Sequence, residues 1–228
     1  MTNPGTTATG TPAAGQAQFA MAFGTPIASR LWPQAAGLNA ALAALVRDLA
    51  AAAPGGGACW QGGADLFARD AACLRTLADQ ARQMATGLTR TLLADPAQAE
   101  VGFRLTGWAN LIRPGGYLGV HHHGGATWSG VYFVTAATTG PGPLEQGRLE
   151  LLDPRPGVRL SGLPGTVLDG RCLIEPIPGL MVLFPGWLTH LVHPFQGAGE
   201  RISIAFNLAA VPSSSAGPAS AGAPDFGT

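Results

Sequence analysis

Charged residues are scarce in this 228-residue sequence: they make up 11% of it, and 13 basic residues balance 13 acidic ones. No run of Lys or Arg occurs, so the chain lacks the basic patch by which proteins bind nucleic acids or anionic membranes. The composition therefore favours a small neutral or anionic ligand over a polyanion, and we expect no nucleic-acid partner.

Cysteine is also rare. Cys59, Cys73 and Cys172 are odd in number and form no C-x-x-C pair, which argues against a disulfide framework and against a thiolate zinc site. The first residues, MTNPGTTATGTPAAGQ, have no basic start and no apolar block of signal-peptide length. No window approaches the roughly 18 apolar residues of a membrane span. We therefore expect a soluble, cytoplasmic protein with no membrane partner.

Large apolar residues are nearly absent from residues 1–16 and 212–228, so burial cannot offset the entropy cost of ordering these segments. Both are predicted to be disordered tails, and residues 17–211 are predicted to form a single domain. Within it, apolar residues recur at helical spacing between positions 38 and 49 and again between 74 and 92. This spacing predicts a helical part within residues 34–95.

Short apolar segments punctuated by Gly and Pro follow from about residue 100. This pattern predicts an antiparallel sandwich or barrel over residues 100–211, with the helices packed on one side. The predicted fold is therefore mainly β. The predicted strands are VGFRLTGWANLIR, GVYFV, RLELLD, GLMVLF and RISIAFNL.

The last of these segments alternates strictly. Arg201, Ser203 and Asn207 share one face of the predicted strand, and four large apolar residues share the other. A charged residue inside a sheet protein with so little charge requires a reason, because an unpaired buried charge is costly.

Three of the five histidines lie in a row in GYLGVHHHGGATWSG. On an extended segment His121 and His123 point the same way, so they can converge on one ion while His122 faces away. Downstream, His190 and His193 are separated by an odd number of residues, so only one of them is expected to face the pair. Three neutral imidazoles leave up to three positions of an octahedral ion open, which is typical of a catalytic rather than a structural site.

Three separated segments carry a more specific signal: WANLIRPGGYLGVHHHGGATWSGVYFV, LELLDPR and PGLMVLFPGWLTHLVHPFQGAGERISIAFNL. In this order they resemble a family of iron(II)- and 2-oxoglutarate-dependent oxygenases of bacteria and phages. The resemblance covers about residues 100–208. It implies a double-stranded β-helix, also called a jelly-roll or cupin-like barrel, that holds iron at one end.

The resemblance also implies roles for individual residues. His121, His123 and His190 would be the metal ligands, although His123 stands where most 2-oxoglutarate oxygenases have Asp or Glu. Arg201 and Ser203 have the spacing of the pair that binds the far carboxylate of 2-oxoglutarate. A guanidinium and a hydroxyl suit this task because Arg stays charged and can bind a carboxylate bidentately.

Other residues are weaker candidates for the same site. Asn110 and Tyr132 are expected in the co-substrate pocket, with Asn207 weaker still, and Trp108 and Trp128 on the substrate side. The implied cofactors are Fe(II), 2-oxoglutarate and dioxygen. The implied reaction oxidises, and in the expected outcome hydroxylates, a small-molecule or peptidyl substrate and releases succinate and CO2. The oligomeric state is left open, with a homodimer as one alternative.

Two rival functions remain open. Gly115 followed by His121-x-His123 matches the opening of a cupin motif, which favours a three-histidine dioxygenase that needs no 2-oxoglutarate. The acidic residue expected a few positions later is missing from GGATWSG, and Arg201 and Ser203 would then have no role. The second rival is a non-catalytic jelly-roll module used for binding, whose histidines hold a structural metal or none.

Overall fold

The computed structural model describes residues 24–53, 57–93, 101–137, 141–158 and 170–212. The predicted N-terminal tail, residues 1–16, lies outside these ranges. The predicted C-terminal tail also lies outside them, except for Pro212, which ends the last strand. The boundaries of the single domain, 17–211, stay a prediction.

Two helices occupy the segments with helical spacing of apolar residues: α1 spans Ala35–Ala52 and α2 spans Ala72–Leu92. By length and composition alone, α1 is apolar enough to cross a membrane, so the expectation that no window approaches a membrane span is wrong. Leu42 and Val46 of this helix are fully buried in a core that it shares with α2 and a β-sheet. One side of α1 is therefore packed into this core.

Ten strands lie in the described residues, and they form two antiparallel sheets. One sheet has the order β1-β8-β5-β10-β3-β2 and the other has the order β4-β9-β6-β7. All five predicted strands are present. The bounds are β1 Ala28–Leu31, β2 Cys59–Gln61, β3 Val101–Ile112, β4 Leu118–His121, β5 Trp128–Thr135, β6 Leu149–Leu152, β7 Arg171–Ile174, β8 Leu180–Pro185, β9 His190–Val192 and β10 Arg201–Pro212.

The two faces of the six-stranded sheet belong to different cores. On the outer face, Ile202, Ile204 and Phe206 of β10 pack with the helices. The inner face packs against the four-stranded sheet through a second apolar cluster that includes Phe133 and Phe184. The alternation of β10 therefore separates an apolar outer face from an inner face that carries Arg201 and Ser203, and the predicted mainly β fold with packed helices is confirmed.

A single hydrogen bond links α1 to the outer face of β5. The Tyr132 hydroxyl donates to Asn39 Oδ1 at 2.7 Å, and the Tyr132 side chain is fully buried. Burial raises the pKa of Tyr132 to about 12, so the hydroxyl keeps its proton and remains a donor at neutral pH.

Tyr132→Phe is expected to lower the free energy of unfolding by about 1 kcal/mol, because Asn39 Oδ1 loses its donor while the packing of the ring is kept. Urea unfolding followed by circular dichroism measures this change. Tyr117→Phe is the matched control, since Tyr117 is 62% exposed and should unfold as the wild type does. Equal unfolding midpoints for the two variants would contradict the assignment.

Candidate metal centre

His121, His123 and His190 form a cluster at one end of the barrel. One ring nitrogen from each lies within 4.8 Å of the others. The ring centroids are 4.2 Å apart for His121 and His190, 5.1 Å for His121 and His123, and 5.2 Å for His123 and His190. In the described part of the chain this is the one group of three or more potential metal ligands, and it contains no carboxylate.

Strand pairing brings the three histidines together. His121 ends β4, His190 begins β9, and the two residues are directly paired in the four-stranded sheet. His123 lies beyond β4, and its backbone N–H donates to the carbonyl of Gly186, just after β8, at 2.8 Å. The cluster thus joins the two sheets at the end of the barrel where β4, β8 and β9 meet.

Backbone carbonyls orient two of the imidazoles in the same way. Nδ1 of His121 is 2.7 Å from the Gly119 carbonyl oxygen, and Nδ1 of His190 is 2.8 Å from the Leu188 carbonyl oxygen. A carbonyl oxygen can only accept, so Nδ1 is the protonated nitrogen of each neutral ring and Nε2 is then the nitrogen with the lone pair. Such a bond is the usual support of a metal-binding histidine, because it fixes the ring and its tautomer.

Burial keeps two of the rings neutral. It lowers the pKa of His190 to about 3, with a further contribution from His121. It lowers the pKa of His123 to about 4, assisted by His121 and His122. At neutral pH both imidazoles are therefore in the unprotonated form that binds metal ions.

The other two histidines lie outside the cluster. His122 is exposed on the loop that follows β4. His193 points to the other side of the four-stranded sheet, where its Nε2 lies 2.6 Å from Glu150 Oε2. The same carboxylate accepts two hydrogen bonds from Arg171.

Arg201 is the second feature of the barrel interior. It begins β10, is 1% exposed, and donates from Nη1 to Ser203 Oγ at 3.3 Å. Its Nε and Nη2 atoms are buried and have no hydrogen-bond partner among the described residues. The guanidinium carbon lies 5.2 Å from the centre of the Phe133 ring, which offers a weak cation–π contact in place of a carboxylate.

The Arg201 guanidinium remains charged in this environment. Burial lowers its pKa to about 10, and the nearby Cys59 opposes this effect. A cation with two unused buried donors fits an anionic ligand that can accept hydrogen bonds in a planar, bidentate manner.

Asn110 lies beside this cation. It is directly opposite Ser203 in the pairing of β3 with β10, and it is 1% exposed. Its Oδ1 accepts a hydrogen bond from Gln61 Nε2 at 3.0 Å. The structure thus brings Arg201, Ser203 and Asn110 together, whereas Asn207 is further along β10 and accepts from Ser129 Oγ at 2.9 Å.

Two aromatic residues of β5 face the helices rather than the barrel interior, contrary to the roles expected for them. Tyr132 is opposite Ile204 and faces the helices, so its assignment to the co-substrate pocket is wrong. Trp128 also faces the helices, and its indole N–H donates to Thr89 at 2.9 Å rather than lining the substrate side. Trp108 does lie at the cluster, with its ring 5.2 Å from the His123 ring.

Gln61 and Cys59 are the residues that the sequence did not reveal. They belong to β2, a strand of three residues at the edge of the six-stranded sheet. A segment this short has no measurable periodicity, and its partner β3 is about 50 residues away in the chain, so no local signal indicates it.

Comparisons with known proteins give one family match and several similar folds. Residues 106–207 match the family described as "Putative 2OG-Fe(II) oxygenase". The chain is similar to a prolyl-4-hydroxylase of Pseudomonas putida, with 20% identity, a TM-score of 0.52, and coverage of 80% of this chain and 91% of that chain. No match was found among curated proteins.

Two further solved structures share the fold. The epimerase SnoN from nogalamycin biosynthesis, in complex with Fe3+, α-ketoglutarate and nogalamycin RO, has 16% identity, a TM-score of 0.55, and coverage of 88% and 91%. HygX from Streptomyces hygroscopicus, with nickel and 2-oxoglutarate bound, has 15% identity, a TM-score of 0.51, and coverage of 81% and 82%.

Together the barrel and the family match define an enzyme of the double-stranded β-helix oxygenase class, and the predicted fold is confirmed. Residues 106–207, which include all three clustered histidines, Arg201 and Ser203, match the 2OG-Fe(II) oxygenase family.

The metal-free protein is expected to lose stability as the pH falls below about 6.5. His190 has a pKa of about 3 when folded and 6.5 when exposed, so between these values the unfolded chain binds the additional proton. Its contribution to the loss is about 1.4 kcal/mol per pH unit. Urea unfolding with a chelator at pH 7 and pH 5 should therefore show a smaller pH effect in His190→Gln than in wild type. His122→Gln, at an exposed site, should behave as wild type; equal effects in all three proteins would contradict the prediction.

Gly186→Ala is expected to weaken metal binding about 10- to 100-fold, the usual effect of disturbing the support of a ligand. A Cβ atom at position 186 would overlap the Ala126 carbonyl oxygen and lie 2.8 Å from the His123 carbonyl oxygen, so this loop must shift. Anaerobic Fe(II) titration measures the loss. Gly119→Ala is the control, because its added methyl meets nothing within 4 Å. Wild-type affinity in Gly186→Ala would show that the loop does not position His123.

Proposed function

We propose that this enzyme uses Fe(II), 2-oxoglutarate and dioxygen to oxidise a small-molecule or peptidyl substrate, with hydroxylation as the expected outcome and with release of succinate and CO2. The observation that carries the proposal is the burial of Arg201 without a counter-charge among the described residues. Its buried guanidinium has two donors without partners among the described residues, in the same barrel as the cluster of three histidines.

The histidine cluster fits Fe(II). In their neutral form His121 and His190 offer Nε2 to a metal ion because Nδ1 donates to a carbonyl, and His123 would complete a set of three ligands. Three protein ligands leave room for a bidentate co-substrate and for dioxygen. When bound, the iron would supply the oxygen chemistry that couples decarboxylation of 2-oxoglutarate to oxidation of the substrate.

The protein itself would bind and orient the co-substrate. Arg201 and Ser203 would hold the carboxylate far from the metal, and Asn110 would contribute a further polar contact. The inner apolar core joins the two parts of the site: Phe133 lies by Arg201, Phe184 lies 4.8 Å from the His190 ring, and both phenylalanines belong to the same cluster. This core would also exclude bulk water and so strengthen the charge interaction at Arg201.

The substrate that we propose is uncharged near its reacting carbon. Residues 114–144 include β4 and two of the three clustered histidines. This segment contains no Asp, Glu, Lys or Arg. Tyr117 and Val120 on this segment are 62% and 64% exposed, and Trp187, close in sequence to His190, is 52% exposed. Large apolar side chains exposed beside a site favour an apolar contact with a ligand.

A three-histidine dioxygenase that needs no 2-oxoglutarate is the second candidate, and the absence of a carboxylate from the described cluster favours it. That function gives Arg201 no anion to bind. The cost of a buried cation without a counter-charge amounts to several kcal/mol, so the arrangement of Arg201 supports the 2-oxoglutarate enzyme.

The test is an anaerobic titration of the Fe(II)-loaded protein with 2-oxoglutarate, which should produce a weak visible metal-to-ligand charge-transfer band. Arg201→Gln should bind Fe(II) normally but weaken 2-oxoglutarate by on the order of 2 to 5 kcal/mol, the cost of truncating one side of a buried charge pair. Ser203→Ala should act in the same direction and less. Arg104→Gln, which changes an exposed arginine of β3, is the control.

Each alternative gives a different result. Iron binding without the band, together with a normal iron response in Arg201→Gln, would favour the three-histidine dioxygenase. A protein in which loss of the histidines changes only the melting temperature, with no turnover in a succinate-release assay, would be a binding module.

A further inference from the structure

The edge strand β2 lies next to β3, on the side of the sheet that carries Arg201, Ser203 and Asn110. Gln61 is paired with Asn110 of β3, and Asn110 is paired with Ser203 of β10. In the same way, Cys59 is paired with Ile112, which is paired with Arg201. Directly paired residues in an antiparallel sheet project from the same face. Gln61 and Cys59 therefore lie on the side of β2 that continues the inner face of the sheet, and both are exposed at the sheet edge.

The two sides of β2 differ in their contacts. Trp60, between these two residues, packs with the helices on the opposite face. The charge of Arg201 acts on the Cys59 thiol and partly offsets the rise in the Cys59 pKa that burial causes. The strand also lines an open cleft of about 900 Å³, bounded by the end of α1, Arg113 and Glu200.

The contact between Gln61 and Asn110 determines what the pocket offers a ligand. An Asn side chain has an oxygen that accepts and a nitrogen that donates, and it can turn either one toward a partner. Because Gln61 Nε2 donates to Asn110 Oδ1, the Asn110 oxygen is directed to β2 and its Nδ2 is left for the pocket. The described residues give Nδ2 no acceptor, and a carboxylate is an acceptor that fits it.

We propose that Gln61 is a positioning residue for 2-oxoglutarate: it holds the Asn110 amide so that Nδ2 donates to a carboxylate of the co-substrate. This inference rests on the proposed function. It adds a residue outside the family-matched segment, residues 106–207, so the match itself assigns no role to Gln61.

The test is a double-mutant cycle on the anaerobic Fe(II)-loaded protein, with the 2-oxoglutarate dissociation constant as the readout. Gln61→Met keeps the length of the side chain and removes its donor. It should raise the dissociation constant about five- to ten-fold, which corresponds to about one hydrogen bond, with iron affinity and melting temperature unchanged. Asn110→Ala should raise it at least as much, and the double variant should match Asn110→Ala alone.

Gln61→Glu is the second variant. A carboxylate cannot donate, so the Asn110 amide must turn its nitrogen to position 61 and present its oxygen to the co-substrate. The dissociation constant should then rise more than in Gln61→Met, because the new negative charge also repels 2-oxoglutarate. Gln83→Met, at an exposed position of α2, is the matched control and should bind as wild type does.

The outcomes separate the two proposals. If wild type gives no 2-oxoglutarate response, the proposed function fails and this inference fails with it. If wild type responds but Gln61→Met binds 2-oxoglutarate equally well, only the role of Gln61 is overturned. It is also overturned if the effects of Gln61→Met and Asn110→Ala multiply in the double variant, because Gln61 would then act independently of Asn110.

Discussion

A buried guanidinium without a counter-charge is the constraint on which the barrel interior depends. Glu150 and Arg201 are the buried members of the Asp, Glu, Lys and Arg side chains in the described residues. Glu150 is fully compensated, since Arg171 donates to both of its oxygens and His193 adds a third contact. Within the described ranges, Arg201 contacts only a hydroxyl and an aromatic ring. The fold can therefore pair a buried charge, and the difference at Arg201 indicates that its partner is a ligand.

Sequence alone revealed the parts of the site that lie on strands with one polar face. The alternation along β10 placed Arg201 and Ser203 together because the opposite face of that strand carries only apolar residues. The H-x-H spacing also placed His121 and His123 on one side, although β4 ends at His121 and His123 lies just beyond it. In such strands polar and apolar residues alternate with a period of two, because the two faces of the strand lie in different environments.

Other parts could not be predicted, for physical reasons. Helices cover the outer face of β5 and the second sheet covers its inner face, so residues 128–134 are all buried and the strand has no period that distinguishes its faces. The face of Tyr132 is decided by its pairing with Ile204, a contact across about 70 residues of chain. The role of Gln61 depends in the same way on long-range pairing, because β2 joins the sheet only once β3 is formed.

The third imidazole also changes the charge of the site. A carboxylate ligand would reduce the charge of bound Fe(II) by one, whereas three neutral histidines leave the ion doubly positive. With Arg201, the barrel would then present positive charge at two separate places, and no buried carboxylate among the described residues faces it. A ligand with one carboxylate could neutralise only one of these places. A dicarboxylate satisfies both, because one end can bind the metal while the other accepts from Nε and Nη2 of Arg201. Independently of the family match, this charge distribution would suit a dicarboxylate such as 2-oxoglutarate, and it therefore supports the proposed function.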